Sequence, residues 1–383
     1  GESISHELWL SFGGGDPRPV ERQFAAGLNP LRAWADPAYV AKTRVFCAFH
    51  PADPQIFPRY EEAVDRAYDV FMKRRRDRKQ YGMENFGDDT FEWGYGPAYT
   101  FWSNQEDDRT HGMLLQYVRS GDPRWWELGE QAARHYRDVD CVLASPGRPG
   151  DVGGPIHHNN RHFVSQGWVA DHRRAYPSTG HSWIEGLIDY WLLTGDLLAG
   201  EAAVRMGDWY VGKVDASQFG AGGQERGQGW TLTGLTSIYR ATWDPRYFDA
   251  AQRVQDWIHG WQDPVRGVIS VPISEQPSYE GGTTFMHGIV AHGVARLFEV
   301  TGEEETLRSL RGLSEWSVTE PLAPPGQFWY KQAPSCKRGY GYTTKAMTAT
   351  SYLHEFTGDE SMAVVTEEIF DHTSPNIRSM PFL

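Results

Sequence analysis

Cysteine is scarce in this 383-residue sequence, and long apolar runs are missing. The three cysteines, Cys47, Cys141 and Cys336, are widely spaced and form no C-x-x-C pair, so neither a disulfide framework nor a structural zinc site is expected. No apolar stretch approaches the roughly 20 residues that cross a bilayer. The first residues show neither a basic n-region nor an apolar h-region. A processed chain would look the same, so secreted, periplasmic and cytoplasmic locations all stay open, with the first two preferred.

Positive charge is also in short supply. Lys and Arg number 37 against 50 Asp and Glu, which leaves a net charge of −13. Since binding to nucleic acid or to an acidic membrane surface needs clustered positive charge, neither partner is expected. An anionic substrate must therefore find its positive contacts locally. The 16 Trp, 18 Tyr and 18 Phe exclude a disordered chain and favour a large folded core.

An internal repeat dominates what is present. Five times, a mostly apolar helical pattern is followed by a short turn and then by a more amphipathic helical pattern. Most of these turns pair Gly with Asp, Glu or Pro, as helix-cap chemistry favours. The pattern predicts an all-α, (α/α)6-type toroid, an incomplete or full barrel with apolar helices inside and amphipathic helices outside. The five turns are Gly121-Asp122-Pro123, Gly195-Asp196, Trp243-Asp244-Pro245, Gly302-Glu303 and Gly358-Asp359.

The connections between hairpins are predicted to build the active site. Turns within a hairpin are short, whereas connections from outer to inner helices are long and rich in Gly, His and aromatic residues. All of them meet at the end of the barrel where the inner helices begin. The long connections cover residues 144–180, 212–229, 263–284 and 318–342.

Two further segments complete the predicted organisation. Residues 61–79 have the pattern of one more outer helix. Residues 1–30 do not fit the repeat, and they are expected to form a short β segment, the end of a preceding β-domain. The toroid is then expected to occupy residues 31–383.

Several motifs resemble a known family. NFGD at 85–88, WSNQEDDRTHGMLLQYVRSGD at 102–122 and STGHSWIEGLIDYWLLTGD at 178–196 are similar to the toroid domain of exo-acting rhamnogalacturonan lyases and their bacterial relatives. ARHYRDVD at 133–140 and HELWLSF at 6–12 extend the similarity over most of the chain. The resemblance implies a carbohydrate-active toroid that cleaves a uronate-containing polysaccharide, with flanking β-domains outside residues 1–383.

The first candidate site residues lie at the predicted start of an inner helix. Asn104, Asp108 and His111 are spaced i, i+4 and i+7, which predicts one helix face, and Glu106 adds acid where the helix dipole favours it. They either bind substrate or form an N-terminal cap with a hydrogen-bonded core histidine. Arg109 opposes the dipole there, so it needs an anion, either the neighbouring acids or a substrate carboxylate.

The longest loop carries three histidines within six residues, His157, His158 and His162. Their spacing matches no specific zinc signature, so no metal site is assigned, although a histidine-only zinc site stays open. Exposure without a role and general acid–base catalysis are the other two interpretations. No cofactor is assigned. A calcium ion that bridges a substrate carboxylate and loop acids stays open, since hard oxygen ligands are plentiful.

Later inner helices supply further candidate substrate contacts. His181 and Glu185 are spaced i, i+4, which predicts either a Glu–His bond in the barrel lining or a histidine on the sugar that Glu185 orients. The tryptophans near helix starts either stack on sugar faces or belong to the core. The candidates are His181, Trp183, Glu185, Arg226, Trp230 and Tyr279.

Elimination from a uronate chain needs a cation for the carboxylate, a base for the C5 proton and an acid for the leaving oxygen. The last long loop, with its basic and aromatic residues through Lys345, supplies several such groups. The hypothesis is a polysaccharide lyase that acts on an anionic, rhamnogalacturonan-like polysaccharide or oligosaccharide. The assigned groups are Arg109, Arg226 and Arg338 as clamps, His157 or His158 as base, and Tyr340 or Lys337 as acid.

Three other functions stay open. A glycoside hydrolase on the same toroid needs two carboxylates about 5–5.5 Å or about 6.5–9.5 Å apart, and the predicted active-site end has many. A sugar epimerase would use paired histidines such as His181 and His287. A non-catalytic carbohydrate-binding toroid is less favoured, because a pure binder needs few titratable groups.

Overall fold

Helices make up most of the chain in the structure, a computed structural model that describes residues 8, 10–12, 16, 18–28, 32–83, 85–92, 100–156, 177–219, 225–323, 327–336, 339–340 and 343–373. The helices are α1 (Arg18–Leu28), α2 (Pro37–Thr43), α3 (Pro58–Asp77), α4 (Arg109–Ser120), α5 (Pro123–His135), α6 (Glu185–Thr194), α7 (Leu197–Asp215), α8 (Arg226–Thr242), α9 (Pro245–Trp261), α10 (Thr284–Thr301), α11 (Glu304–Thr319), α12 (Thr343–Thr357) and α13 (Glu360–Thr373). The strands are β1 (Thr90–Glu92), β2 (Thr100–Trp102), β3 (Val271–Ile273), β4 (Gln276–Gly281), β5 (Leu322–Ala323), β6 (Gln327–Trp329) and β7 (Gly339–Tyr340).

Five helical hairpins run from α4 to α13, each with its inner helix first. Successive inner helices contact one another, α4 with α6, α6 with α8, α8 with α10 and α10 with α12. Helix α3 completes the outer ring against α13, where the Tyr60 and Phe370 rings lie 6.2 Å apart and Arg59 pairs with Asp371. The predicted toroid is therefore confirmed, and so is the outer helix predicted over residues 61–79.

All five predicted turns are confirmed, and their chemistry is local. Gly121, Gly195, Gly302 and Gly358 end inner helices with φ of 72°, 73°, 64° and 70°. Trp243 occupies the equivalent position at φ 58°. The aspartate that follows caps the outer helix in several turns, as where Asp122 accepts from the Arg124 N–H and Asp196 from the Ala199 N–H.

The inner helices pack closely because small residues face one another. A Cβ added to Gly229 of α8 would lie 2.6 Å from the backbone of Ile289, and one added to Gly293 of α10 would lie 2.6 Å from the carbonyl oxygen of Gly229. These two glycines let α8 and α10 touch backbone to backbone. Around them, side chains such as Leu232, Leu235 and Val290 are fully buried in one continuous core.

An early segment of chain covers the end of the barrel where the inner helices finish. Arg119 of α4 donates to the His50 carbonyl (3.0 Å), Arg240 of α8 to that of Val45 (3.2 Å) and Arg296 of α10 to that of Phe46 (3.0 Å). We call residues 44–52 the floor. The open end, where the inner helices begin, faces the other way.

The expected β segment over residues 1–30 is wrong for residues 18–28, which form α1. Val20, Phe24 and Leu28 recur every four residues, and Pro19 lies in the first turn, a position that helices tolerate. The boundary between residues 1–30 and a toroid over 31–383 stays a prediction. Strands occur instead in the long connections, as the β3–β4 hairpin and the β5–β6–β7 sheet. None of the described helices is long and apolar enough to cross a membrane.

Two reciprocal substitutions test the turn chemistry. Gly195→Ala should lower the free energy of unfolding by about 1 kcal/mol, because an L-residue is strained at this φ although nothing lies within 4 Å of the added Cβ. Trp243→Gly should raise it by up to about 1 kcal/mol for the same reason. Gly212→Ala, in the last turn of α7 with equally open space and no left-handed φ, is the control and should be stabilising. Urea denaturation measures all three, and a loss of stability in Gly212→Ala equal to that in Gly195→Ala would contradict the conformational argument.

Candidate active site

A strained turn leads into α4 at the open end. Asn104, Gln105, Asp107 and Asp108 all have left-handed backbone, with φ of 47°, 57°, 65° and 53°. Such residues are unfavourable by about 1–3 kcal/mol each, and they cluster at functional sites. We call residues 103–108 the acidic turn. The prediction that Asn104, Asp108 and His111 share a helix face is wrong, because α4 begins only at Arg109.

Asp88 holds the entrance of the acidic turn. Its fully buried carboxylate accepts hydrogen bonds from the Ser103 hydroxyl (2.6 Å), the Asn104 N–H (3.0 Å) and the Gln105 N–H (3.4 Å). Hydrogen bonds to charged groups contribute about 1.5–3 kcal/mol each. Three such bonds are therefore of the size needed to offset a run of left-handed residues.

Asp108 holds the exit of the turn and joins two inner helices. Its carboxylate accepts from the His111 N–H (3.1 Å) at the start of α4 and from the Gly186 N–H (3.1 Å) at the start of α6. A Cβ at Gly186 would lie 2.3 Å from the His111 nitrogen, so only glycine allows this approach. Burial raises the pKa of Asp108 to about 7, although the charge of His111 opposes the shift. The contacts of Asp108 are therefore those of a helix N-terminal cap.

Between these two supports, the turn presents Glu106 and Asp107 to a group of side chains from five other segments of the chain. Both Glu106 oxygens lie 3.2 Å from His181 Nδ1, and Asp107 pairs with Lys345 of α12. The rings of Phe285 and Tyr330 stack with centroids 5.8 Å apart, and Lys345 lies 5.9 Å from the Phe285 centroid. We call this set the mouth cluster: Glu106, Asp107, His181, Arg226, Phe285, Tyr330 and Lys345.

Arg226 brings the second cation of the mouth cluster. Burial lowers the pKa of its guanidinium, and the carboxylates of Glu106 and Asp107 are among the charges that oppose the shift. Its Nε would lie 3.3 Å from a Cβ at Gly180, which places it against the segment that carries His181. The side chains of Glu106, Asp107 and Lys345 keep 22%, 14% and 17% of their surface exposed, so a solute can reach these three groups, whereas His181 keeps 3%.

The expected contact between His181 and Glu185 is wrong. His181 ends a short 3-10 turn and Ser182 is extended, so the helical i, i+4 spacing does not apply before α6 begins at Glu185. Glu185 instead points into the barrel interior, where Arg296 Nε donates to it (2.9 Å) and His292 Nε2 lies 3.1 Å away. Burial opposes the charge of Glu185, yet Arg296 and His292 hold its pKa well below the ordinary value.

His111 belongs to the same interior network rather than to the mouth cluster. Its Nδ1 lies 2.6 Å from Asp189 of α6. Burial disfavours the charged ring, but the Asp189 carboxylate raises the pKa of His111 well above its ordinary value. The interior of the barrel therefore holds two groups of paired charges, His111 with Asp189 and Glu185 with Arg296 and His292.

Arg109 lies close to two neighbouring carboxylates, those of Asp88 and Asp89. Its Nη1 lies 3.8 Å from Asp88 and 4.0 Å from Asp89, and its guanidinium lies 5.8 Å from the Phe71 ring centre. These contacts point between α3 and α4, away from the mouth cluster. Its assignment as a substrate clamp therefore has no support from its described neighbours.

Three of the remaining predicted contacts, Asn104, Trp183 and Trp230, are buried against the acidic turn and one another. Trp183 donates to the Asn104 carbonyl (3.2 Å) and packs edge-on against Trp230 at 5.8 Å. Both tryptophans are buried, and so is Asn104, whose amide donates to the Ile156 carbonyl (3.3 Å). Tyr279 lies in β4, close enough to Arg266 to interact with its charge.

Several predicted site residues lie outside the described residues, namely the candidate substrate contact His162 and the catalytic candidates His157, His158, Lys337 and Arg338. Tyr340 lies in β7, paired with Phe328. The roles assigned to these residues stay predictions. Among the residues that the structure does describe, no group of three or more His, Cys, Asp and Glu side chains has the arrangement of a metal site.

Sequence reasoning missed Phe285 and Tyr330. Phe285 is the second residue of an otherwise apolar helix, so no pattern separates it from the core. Tyr330 precedes Lys331 in the basic and aromatic loop, and only this position in the sequence suggests that it is a site residue. Lys345 belongs to that loop in the sequence, but its spacing does not predict a place at the site, because its partner Asp107 is 238 residues away.

Comparisons with known proteins agree with a sugar-processing toroid. The model of the family described as β-L-arabinofuranosidase, GH127 catalytic domain, matches residues 148–320, which is less than half of the chain. This stretch includes His181, Arg226, Phe285 and the interior Glu185 but not the acidic turn. No curated protein matches the sequence.

Solved structures give the same fold at low identity. A polysaccharide lyase has a TM-score of 0.56 and 12% identity, with 82% of this chain and 83% of that one covered. The unsaturated glucuronyl hydrolase of Bacillus sp. GL1 has a TM-score of 0.56 and 12% identity over 83% and 85% of the two chains. An α-1,6-mannanase from Salegentibacter sp. HEL1_6 is 17% identical with a TM-score of 0.39; the match spans 49% of this chain and 57% of the mannanase. The matches to the polysaccharide lyase and to the glucuronyl hydrolase show that this chain has the α/α toroid fold.

The shared cap predicts a pH dependence of stability. Because the folded pKa of Asp108 is about 7 and the ordinary value is 3.8, the folded state binds more protons between these values, and the free energy of unfolding falls as pH rises. Asp108→Asn keeps an acceptor but does not titrate. Relative to wild type, its stability should therefore improve from pH 4 to pH 7, by at most about 4 kcal/mol.

Urea denaturation at several pH values measures this difference. Asp122→Asn is the control, because Arg124 holds the pKa of the partly buried Asp122 below its ordinary value. Its stabilising effect is lost only as pH falls through that lowered pKa, so the control should show no trend between pH 5 and pH 7. Parallel stability curves for wild type and Asp108→Asn would contradict a shifted carboxyl at the shared cap.

Proposed function

We propose that the protein cleaves a uronate-containing oligosaccharide or polysaccharide, rhamnogalacturonan-like in its charge, by β-elimination at the mouth cluster. The observation that carries this proposal is the carboxylate-held histidine, Glu106 with His181, beside the two cations Arg226 and Lys345. The polysaccharide lyase among the structural neighbours supports the reaction type only as a precedent on this fold.

The charges of the mouth cluster suit an anionic sugar. In a chain with a net charge of −13, Arg226 and Lys345 converge at one partly exposed place. Burial makes the Arg226 guanidinium poorly hydrated, so an added carboxylate gains more from it than from a surface arginine. A substrate carboxylate bound there has its charge neutralised, which makes the proton on C5 more acidic.

The His181–Glu106 pair then moves the proton. Glu106 holds the ring through Nδ1, and Nε2 takes the C5 proton. The electron pair of that C–H bond forms the C4–C5 double bond, and the C4–O bond breaks. Tyr330, whose ring is fixed against Phe285, lies close enough to Arg226 to interact with its charge and protonates the leaving oxygen. The products are an unsaturated uronyl sugar and a sugar with a free hydroxyl.

Absorbance in the ultraviolet is the direct test. Incubation with a panel of uronate-containing polysaccharides and oligosaccharides should produce the rising signal of an unsaturated uronyl product, in step with new chain ends. Neutral polysaccharides of similar size are the controls and should give no signal. New reducing ends without absorbance would exclude elimination and establish hydrolysis.

Substitutions in the His181–Glu106 pair test which residue acts as the base. His181→Ala should lower kcat/KM at least about 100-fold, and Glu106→Gln about 10–100-fold, because a positioned acid–base group contributes typically 10²–10⁴-fold. His259→Ala is the matched control, since His259 also pairs with a glutamate, Glu305 at 3.2 Å, but on the exposed outer ring. It should leave turnover unchanged.

The same assay tests the loop histidines assigned from the sequence. His157→Ala and His158→Ala should retain turnover if His181 is the base. Full activity in His181→Ala together with loss in His158→Ala would instead return the base to the loop.

Hydrolysis is the second candidate, for a specific reason. The acidic turn presents two carboxylates, Glu106 and Asp107, to the same partly exposed site, and the family model that matches residues 148–320 is that of a glycosidase. In that case a carboxylate would act as acid or nucleophile rather than as a support for His181. Glu106→Gln and Asp107→Asn would then each abolish the release of reducing ends, whereas His181→Ala would only reduce it.

A further inference from the structure

The acidic turn depends on a residue that the proposed reaction does not use. Asp88 lies 16 residues before Asn104, in the segment that precedes β1, and no part of it is exposed. Its carboxylate accepts from the Ser103 hydroxyl and from two successive backbone N–H groups, Asn104 and Gln105. The Gln105 side chain donates a further hydrogen bond to the Gly87 carbonyl (2.9 Å), so two successive residues, Gly87 and Asp88, bind the acidic turn.

The backbone of the turn gives these bonds their importance. A run of left-handed residues without glycine does not persist unless its surroundings hold it. The exit is held by Asp108 at the shared cap, and the entrance by Asp88. Glu106 lies between the two supports, and its carboxylate reaches His181 at 3.2 Å only while the turn keeps this shape.

We infer that Asp88 is a positioning residue that sets the distance between Glu106 and His181 by holding the acidic turn in its left-handed conformation. Asp88 contacts neither Glu106 nor His181, and it acts through the backbone of residues 103–105. The inference deepens the proposed function, on which its activity readout rests. Its structural readout is independent of any activity.

The structural arm uses the His181 ring itself. In ¹⁵N-histidine-labelled protein, the Nδ1 resonance of His181, assigned by its loss in His181→Ala, reports the bond to Glu106. Asp88→Asn should move this resonance in the same direction as Glu106→Gln does. Asp196→Asn is the matched control: Asp196 also accepts a backbone N–H and pairs with an arginine, but it caps α7 at the opposite end of the hairpins. It should leave the resonance in place.

The kinetic arm separates positioning from general loss of structure. A misplaced catalytic group reduces rate more than binding, so Asp88→Asn should lower kcat about 10–100-fold with KM changed less than threefold. In the double variant with Glu106→Gln, the two losses should not multiply, because both act through the same carboxylate. Ser103→Ala removes a single donor to Asp88, and it should give a smaller effect of the same kind if Asp88→Asn does not fold.

Each outcome is decisive. An unchanged His181 resonance in both Asp88→Asn and Ser103→Ala, or losses that multiply in the double variant, would overturn the positioning role. If wild type cleaves no uronate substrate, the proposed function fails, yet the resonance still shows whether Asp88 holds Glu106 against His181.

Discussion

The carboxylate of Asp108, shared between the first turns of α4 and α6, is the contact on which the open end of the barrel depends. It accepts one N–H from each helix, and Gly186 lets the two backbones approach closely enough for this to happen. The chain that precedes α4 must therefore enter the helix at a fixed point and in a fixed direction. The acidic turn lies between this cap and the hydrogen bonds to Asp88, and these two supports place Glu106 and Asp107 at the site.

Charge is distributed unevenly along the barrel axis. The interior holds paired groups that satisfy one another, such as His111 with Asp189 and Glu185 with Arg296. Buried pairs of this kind contribute little net stability compared with apolar packing, but they penalise any arrangement that separates the partners. At the mouth cluster, by contrast, charged groups retain partial exposure. The same barrel therefore has a fixed ionic centre and an ionic rim that solutes can reach.

The parts of the fold that could be predicted are those with local causes. The five turns follow from residues within a few positions of one another, and Trp243 fits the pattern because the aspartate and proline after it still start the next helix. The acidic turn has a distant cause: its shape depends on Asp88, and an isolated D-D-R-T-H sequence is equally consistent with a helix that begins earlier. The pairing of Asp107 with Lys345, and of His181 with Glu106 rather than Glu185, depends on ring closure between elements far apart in sequence. Spacing rules for a single helix carry no information about such contacts.

The floor has a consequence for how the chain reaches its folded state. Arg296 bonds to the carbonyl oxygen of Phe46, 250 residues earlier, and Arg240 closes a loop almost as long onto Val45. Contacts of such high sequence separation form slowly, because the entropy of a long loop is lost before the contact stabilises anything. During synthesis, the floor leaves the ribosome long before α8 and α10, so its carbonyl groups cannot accept from Arg240 and Arg296 until those helices have been made. Helical hairpins, whose contacts are local, therefore assemble early, and the floor is bound to the ends of α8 and α10 only later.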